Sequence, residues 1–156
     1  MDLKGKTAIV TGGGRDIGRA CVLELAARGA NVAINYMASS EGADSAVAEI
    51  KAAGGNAFAL QGDMTKEADV AALVEKTVKE FGQVDTLVHV TGGLVARVTM
   101  SEMTLDHWQS VMDVNLTSFV LMVRECLPHM TEGSSIVGLA SQAGRDGGGP
   151  GASAYG

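Results

Sequence analysis

The chain has 156 residues, long enough for one domain with a substantial core. With 46% hydrophobic and 19% charged residues, its composition fits a globular protein and excludes a disordered one. A net charge of −6 offers no basic face to a phosphate backbone, which excludes nucleic-acid binding as the main activity.

The N-terminal residues Met1 to Lys6 lack the apolar core of a secretory signal and lead straight into a strand-like run. That run, "TAIVTG" (Thr7 to Gly12), is apolar and ends on glycine. A helix is predicted from Ile17 to Arg28, with Ile17, Cys21 and Leu25 on one face and Gly29 as its stop. "NVAINY" (Asn31 to Tyr36) is a second strand, and a helix from Glu41 to Ala53 ends at Gly54-Gly55. "AFALQGD" (Ala57 to Asp63) is a third strand. Thr65 is the expected N-cap of a helix from Lys66 to Phe81, stopped by Gly82. A fourth strand, "VDTLVHV" (Val84 to Val90), precedes a long helical region from Leu105 to Met130. "SSIVGLAS" (Ser134 to Ser141) is the fifth strand. The glycine-rich stretch Gly144 to Gly151 then reads as a mobile loop beside a site.

Alternating strands and helices at this spacing predict βαβ units and a parallel sheet. Short strands that are nearly all apolar predict helices on both faces. The expected fold is therefore α/β, a Rossmann-type doubly wound parallel sheet in three α/β/α layers, with residues 1–156 as a single domain. No apolar run approaches the length of a membrane span. Cys21 and Cys126 lack metal-ligand spacing and read as buried thiols of a reducing, cytoplasmic compartment. His107 and His129 have no ligand cluster around them, so no metal site is expected.

The first strand runs into "TGGGRDIG" (Thr11 to Gly18). Glycines there allow a tight turn and close approach to a pyrophosphate. The next helix then offers free N–H groups and its positive dipole end. Asp16 stands where a glycine would suit that approach. Its carboxylate is expected to turn back and cap the helix, with Arg15 offsetting its charge.

These residues together resemble the short-chain dehydrogenase/reductase family, in the manner of its 3-oxoacyl-carrier-protein reductases. The family's Thr-Gly-x-x-x-Gly-x-Gly motif falls on Thr11, Gly12, Asp16 and Gly18, with Gly14, Arg15 and Ile17 inside it. Its adenine-contacting acid falls on Asp63, beside Met64. Its Asn-Asn-Ala-Gly motif falls on His89, Val90, Thr91 and Gly92, where only the glycine is kept. His89 therefore reads as a hydrogen-bonding strand residue rather than a general base. The family's catalytic asparagine, serine and tyrosine fall on Asn115, Ser141 and Tyr155.

The resemblance implies hydride transfer between a nicotinamide cofactor and a small carbonyl or secondary alcohol. Tyr155 would be the general acid/base, and Ser141 would orient the carbonyl. Tyr36 ends the second strand without an acid nearby before Glu41, and Arg15 is basic, so NADP(H) is favoured over NAD(H). Arg97 and Arg145 are possible contacts for an acidic substrate. The family's next catalytic residue is a lysine four positions after the tyrosine, and only Gly156 follows Tyr155. The chain thus looks like the N-terminal portion of such an enzyme, truncated after the fifth strand and inactive alone. Tyr155 would open a helix that continues beyond it. A homodimer or homotetramer is the family's usual assembly. A non-catalytic nucleotide-binding or sensing module on the same fold is the competing expectation, favoured by Asp16 and by the altered motif at His89.

Overall fold

A computed structural model describes residues 2–156. Five strands form one sheet: β1 (Thr7–Thr11), β2 (Asn31–Tyr36), β3 (Ala57–Gln61), β4 (Thr86–His89) and β5 (Ser135–Gly138). Their order is β3-β2-β1-β4-β5, and every pairing is parallel. The helices are α1 (Asp16–Ala27), α2 (Ser40–Ala52), α3 (Glu67–Phe81), α4 (Leu105–Met112), α5 (Ser118–Cys126) and the short α6 (Ala143–Asp146). This is the Rossmann-like architecture expected.

The period-two alternation of the strands builds two cores, one on each face. Val10, Val32 and Ile34 point to the face covered by α1 and α2. Ile9, Ala33 and Leu87 point to the face covered by α3 and α5. Each fully buried Ile or Leu here contributes roughly 1.5–3 kcal/mol. In α3 the buried positions Val70, Leu73, Val74 and Thr77 follow the helical spacing that the sequence predicts, and Gly82 ends the helix in the left-handed region at φ 87°.

Several local expectations are corrected. In α1 the buried face carries Gly18 and Val22, one position round from Ile17, Cys21 and Leu25. Ile17 is 55% exposed, and Cys21 is only half-buried. The N-cap of α3 is Lys66, with no side-chain cap. Thr65 instead donates its hydroxyl to Asp63 Oδ1 at 2.7 Å. The long helical region is interrupted. A π-helical turn, Asp113–Thr117, separates α4 from α5, and a 3-10 turn, Leu127–His129, ends it around Pro128. The fourth and fifth strands are shorter than predicted, because pairing covers only Thr86–His89 and Ser135–Gly138.

At the N-terminal end of the sheet, Asp85 ties β1 to β4. It accepts from Lys6 Nζ at 2.9 Å, from the Thr7 amide at 2.8 Å and from Gln83 Nε2 at 2.7 Å. Burial alone would raise its pKa, but these hydrogen bonds and the charge of Lys6 outweigh that and hold the carboxyl below its usual range. At the opposite end the chain crosses from β3 over to β4, on the other side of β1. Strand order reverses there, and a cleft opens above the strand ends. No described helix is long and apolar enough to cross a membrane.

Candidate active site

The cleft has a volume of about 540 Å³. Its walls come mainly from four segments, each delivered by the C-terminal end of a strand, with Val114 and Leu139 completing them. The loop after β1 supplies Gly12, Gly14, Arg15, Asp16, Ile17 and Gly18. Tyr36 comes from the end of β2, Asp63 and Met64 from the end of β3, and Val90, Thr91 and Gly92 from the end of β4. The structure thus brings every residue proposed from the sequence as cofactor-binding into one wall.

The loop is shaped by close approach. A Cβ on Gly18 would run into the carbonyl oxygen of Gly12, so α1 sits on the loop only because position 18 has no side chain. Gly42, in α2, meets the carbonyl of Gly14 in the same way. Sequence reasoning did not single out Gly42. Its signal was a glycine inside an otherwise helical run.

Asp16 does not cap α1. It opens the helix at φ 47°, in the left-handed region that an aspartate adopts only at a cost. Its carboxylate is 80% exposed and lies 3.8 Å from Arg15 Nε. The N-cap, Arg15, also makes no side-chain cap hydrogen bond, so the first-turn amides of α1 are left without a side-chain acceptor. Free amides, a helix dipole and Cβ-free backbone form a cradle that suits a phosphate anion.

Asn35, buried in β2, was also missed. Its Oδ1 accepts from the Gly12 amide at 3.4 Å and its Nδ2 donates to the Gly62 carbonyl at 3.0 Å. It therefore holds the ends of β1 and β3 at fixed spacing beneath the cleft. An amide inside the buried part of the apolar run "NVAINY" was the readable signal.

Asp63 is oriented by its neighbours. Its Oδ1 accepts from the Thr65 amide at 3.0 Å as well as from the Thr65 hydroxyl, and Lys66 Nζ lies 3.7 Å from Oδ2. Burial would raise its pKa, yet the Thr65 hydrogen bonds and Lys66 together hold it below the usual carboxylate range. At neutral pH it is an ionised acceptor. On the cleft floor, Thr11 Oγ1 accepts the amides of Val90 and Thr91, both at 3.1 Å.

Asn115 lies on the π-helical turn and braces this floor. Its Oδ1 accepts from the Gly93 amide and its Nδ2 donates to the Gly93 carbonyl, both at 2.9 Å. Ser141 is exposed, and its Oγ accepts from the Ala143 amide at 3.1 Å. Tyr155 is half-buried in a turn, its amide donating to the Ala152 carbonyl at 2.9 Å. The Gly156 amide donates to that same carbonyl at 2.9 Å. Neither Ser141 nor Tyr155 lines the cleft; Leu139, just before Ser141, does.

The glycine-rich loop is tethered rather than free. Arg97 Nη1 donates to the carbonyls of Gly148 at 3.2 Å and Pro150 at 2.7 Å, and the Val98 amide donates to Gly151 at 2.9 Å. Arg97 is thus spent on the loop, not held out towards a substrate. Cys126 is buried as expected, which pushes its thiol up to about 12 and leaves it inert.

An uncharacterized oxidoreductase of Methylorubrum extorquens is 39% identical over 139 residues, covering 89% of this chain and 56% of its own length. The 3-oxoacyl-[acyl-carrier-protein] reductase of Staphylococcus aureus is 37% identical over 141 residues, covering 89% of this chain and 57% of its own. A short chain dehydrogenase from Burkholderia cenocepacia, solved in complex with NADP, superposes with a TM-score of 0.93 at 35% identity, over 99% of this chain and 63% of that one. The chain therefore spans little more than half the length of these two curated relatives. Residues 6–156 match the short chain dehydrogenase family, and the chain belongs to that family of oxidoreductases.

Proposed function

We propose that the cleft holds NADP(H) and that the whole protein interconverts a small carbonyl and its alcohol. The observation that carries this reading is the convergence of the glycine loop, Tyr36, Asp63 and the Val90–Gly92 floor on one cleft above the strand ends. The first-turn amides of α1 would take the pyrophosphate, and the ionised Asp63 would accept a hydrogen bond from the adenine amino group. Arg15 supports NADP(H) over NAD(H), because the rim after β2 offers Met37, Ala38 and Ser39 and no acid to repel an extra phosphate. The NADP held by the Burkholderia cenocepacia relative supports a nicotinamide dinucleotide in the cleft.

When bound, the nicotinamide supplies or accepts the hydride. Tyr155 would give a proton from its Oη to the carbonyl oxygen, and Ser141 Oγ would orient that oxygen. Asn115 keeps the floor in register by its paired bonds to Gly93. The exposed apolar residues Leu105, Trp108, Leu116 and Val120, along α4, the π-helical turn and α5, support pairing with a second copy.

The test is carbonyl-dependent NADPH oxidation by the whole protein. Tyr155→Phe should lower turnover by about 10²- to 10⁴-fold without weakening NADPH binding. Unchanged turnover in that variant would remove Tyr155 from the reaction. The displacement of Ser141 and Tyr155 from the cleft wall favours a second reading, a nucleotide-sensing module. Tight NADPH binding with no turnover over a broad carbonyl panel would support it.

A further inference from the structure

His89 ends β4 beneath the cleft and is 3% exposed. Its Nδ1 lies 3.2 Å from Thr11 Oγ1, and its Nε2 lies 3.1 Å from Ser118 Oγ. Proton bookkeeping fixes the direction of both bonds. The Ser118 hydroxyl has one proton and donates it to the Val114 carbonyl at 2.8 Å. Its oxygen must then accept from the ring, so Nε2 carries the hydrogen. The Thr11 oxygen is already an acceptor for the Val90 and Thr91 amides. Its own proton goes to Nδ1, which is left as a lone pair. One directional chain results: the two amides to Thr11, Thr11 to His89, His89 to Ser118, and Ser118 to the Val114 carbonyl.

Both ends of this chain are cleft wall. Val90 and Thr91 form the floor, and Val114 lines the cleft beside Asn115 on the π-helical turn. The Phe119 ring meets the imidazole edge-on, with centroids 5.4 Å apart, and fixes its plane. We infer that His89 is a positioning residue. As a neutral imidazole in the Nε2–H form, it sets the spacing between the end of β4 and the turn that carries Val114 and Asn115.

A second ring proton does not fit, because Thr11 would then face three donors and its own hydrogen would have no acceptor. The groups packed on the ring come from β1 and α5, and none of them is ionisable. Burial pushes the imidazole down to about 4, in keeping with that geometry.

The inference rests on the cleft being the dinucleotide site, and the experiment separates the two. Nitrogen-15 spectra of the histidine rings need no cofactor. His89 should show a protonated Nε2 and a bare Nδ1, unchanged from about pH 8 to pH 5. The opposite tautomer, or titration within that range, would overturn the inference. The second arm compares NADPH with adenosine 2′,5′-bisphosphate, which lacks the nicotinamide half. With adenine at Asp63 and phosphates on the glycine loop, the other half of the dinucleotide falls at the Val114 end. Removing the ring nitrogens in His89→Phe, or the acceptor of the Nε2–H in Ser118→Ala, should weaken NADPH about tenfold and leave the half-ligand unchanged. The double variant should be no weaker than His89→Phe alone, since both cut one chain. Equal NADPH affinity in the variants, or equal loss for both ligands, would contradict the positioning role. If a variant fails to fold, the tautomer measurement on the unaltered chain still decides. Failure of the unaltered chain to bind either ligand would instead sink the reading of the cleft.

Discussion

The sheet has two unlike halves. On the β3-β2-β1 side, Val10, Val32, Ile34 and Val22 are fully buried, and α1, α2 and α3 cover both faces. On the other side, β5 is exposed along its whole length, with Ile136 38% and Val137 51% exposed. The glycine loop, Asn35 and Asp63 stand on the first half. Ser141 and Tyr155 follow the second. The proposed phosphate cradle rests on β1, β2 and the helices packed over them, whereas Ser141 and Tyr155, proposed for proton transfer, follow the exposed strand β5.

Adding a Cβ at Gly18 should break the enclosed half most severely. Gly18→Ala drives α1 against the Gly12 carbonyl, and a loss of about 3 kcal/mol of stability is expected, together with NADPH binding. Urea denaturation and a cofactor titration read both. A matching substitution at exposed Val137 should do neither, and comparable damage there would erase the contrast between the halves.

The junction between the halves has its own signature in pH. Folding lowers the His89 pKa from an ordinary 6.5 to about 4. Between those values the unfolded chain takes up a proton that the folded ring refuses. Stability should therefore be full above pH 6.5 and fall by roughly 3 kcal/mol as pH drops towards 4. His89→Phe should flatten that arm in denaturation series run across pH. Asp85, held below its usual range, acts in a more acidic window: its contribution is present above the ordinary carboxylate pKa and is lost as pH falls through the lowered one.

Much of this was legible in the sequence, and the exceptions share a cause. Alternating apolar runs and glycine stops marked the strands and helices. The glycine loop was legible from its place between a strand and a helix, and Asp63 and the Val90–Gly92 floor were legible through the family resemblance, which set them at strand ends. Asn35 and Gly42 were missed because their importance lies in what they touch across the fold, the Gly12 amide and the Gly14 carbonyl. The break at Asp113–Thr117 was hidden because a π-helical turn adds a single residue inside an otherwise helical run and carries no residue-type signal of its own. Asp16 was read as a cap from its residue type, but its positive φ aims the side chain away from the first-turn amides.

That strain yields a smaller effect of opposite sign. Asp16→Gly relieves the left-handed backbone and removes a carboxylate from the phosphate cradle. Stability should rise by about 1 kcal/mol, and NADPH should bind more tightly. Asp16→Asn, which removes the charge and keeps the side chain, separates the two contributions. Smallest of all, Val137→Lys on the open edge should change stability by no more than about 0.5 kcal/mol while reducing self-association in sedimentation runs.

The central claim, that the glycine loop, Tyr36, Asp63 and the Val90–Gly92 floor form one dinucleotide cradle, is tested most directly by amide hydrogen exchange on this chain with and without NADPH. Saturable binding should slow exchange at Gly12–Gly18, at Tyr36–Ser39, at Asp63–Met64 and at Val90–Gly92, with little change along β5. No binding, or protection confined to residues outside that cleft, would contradict the account.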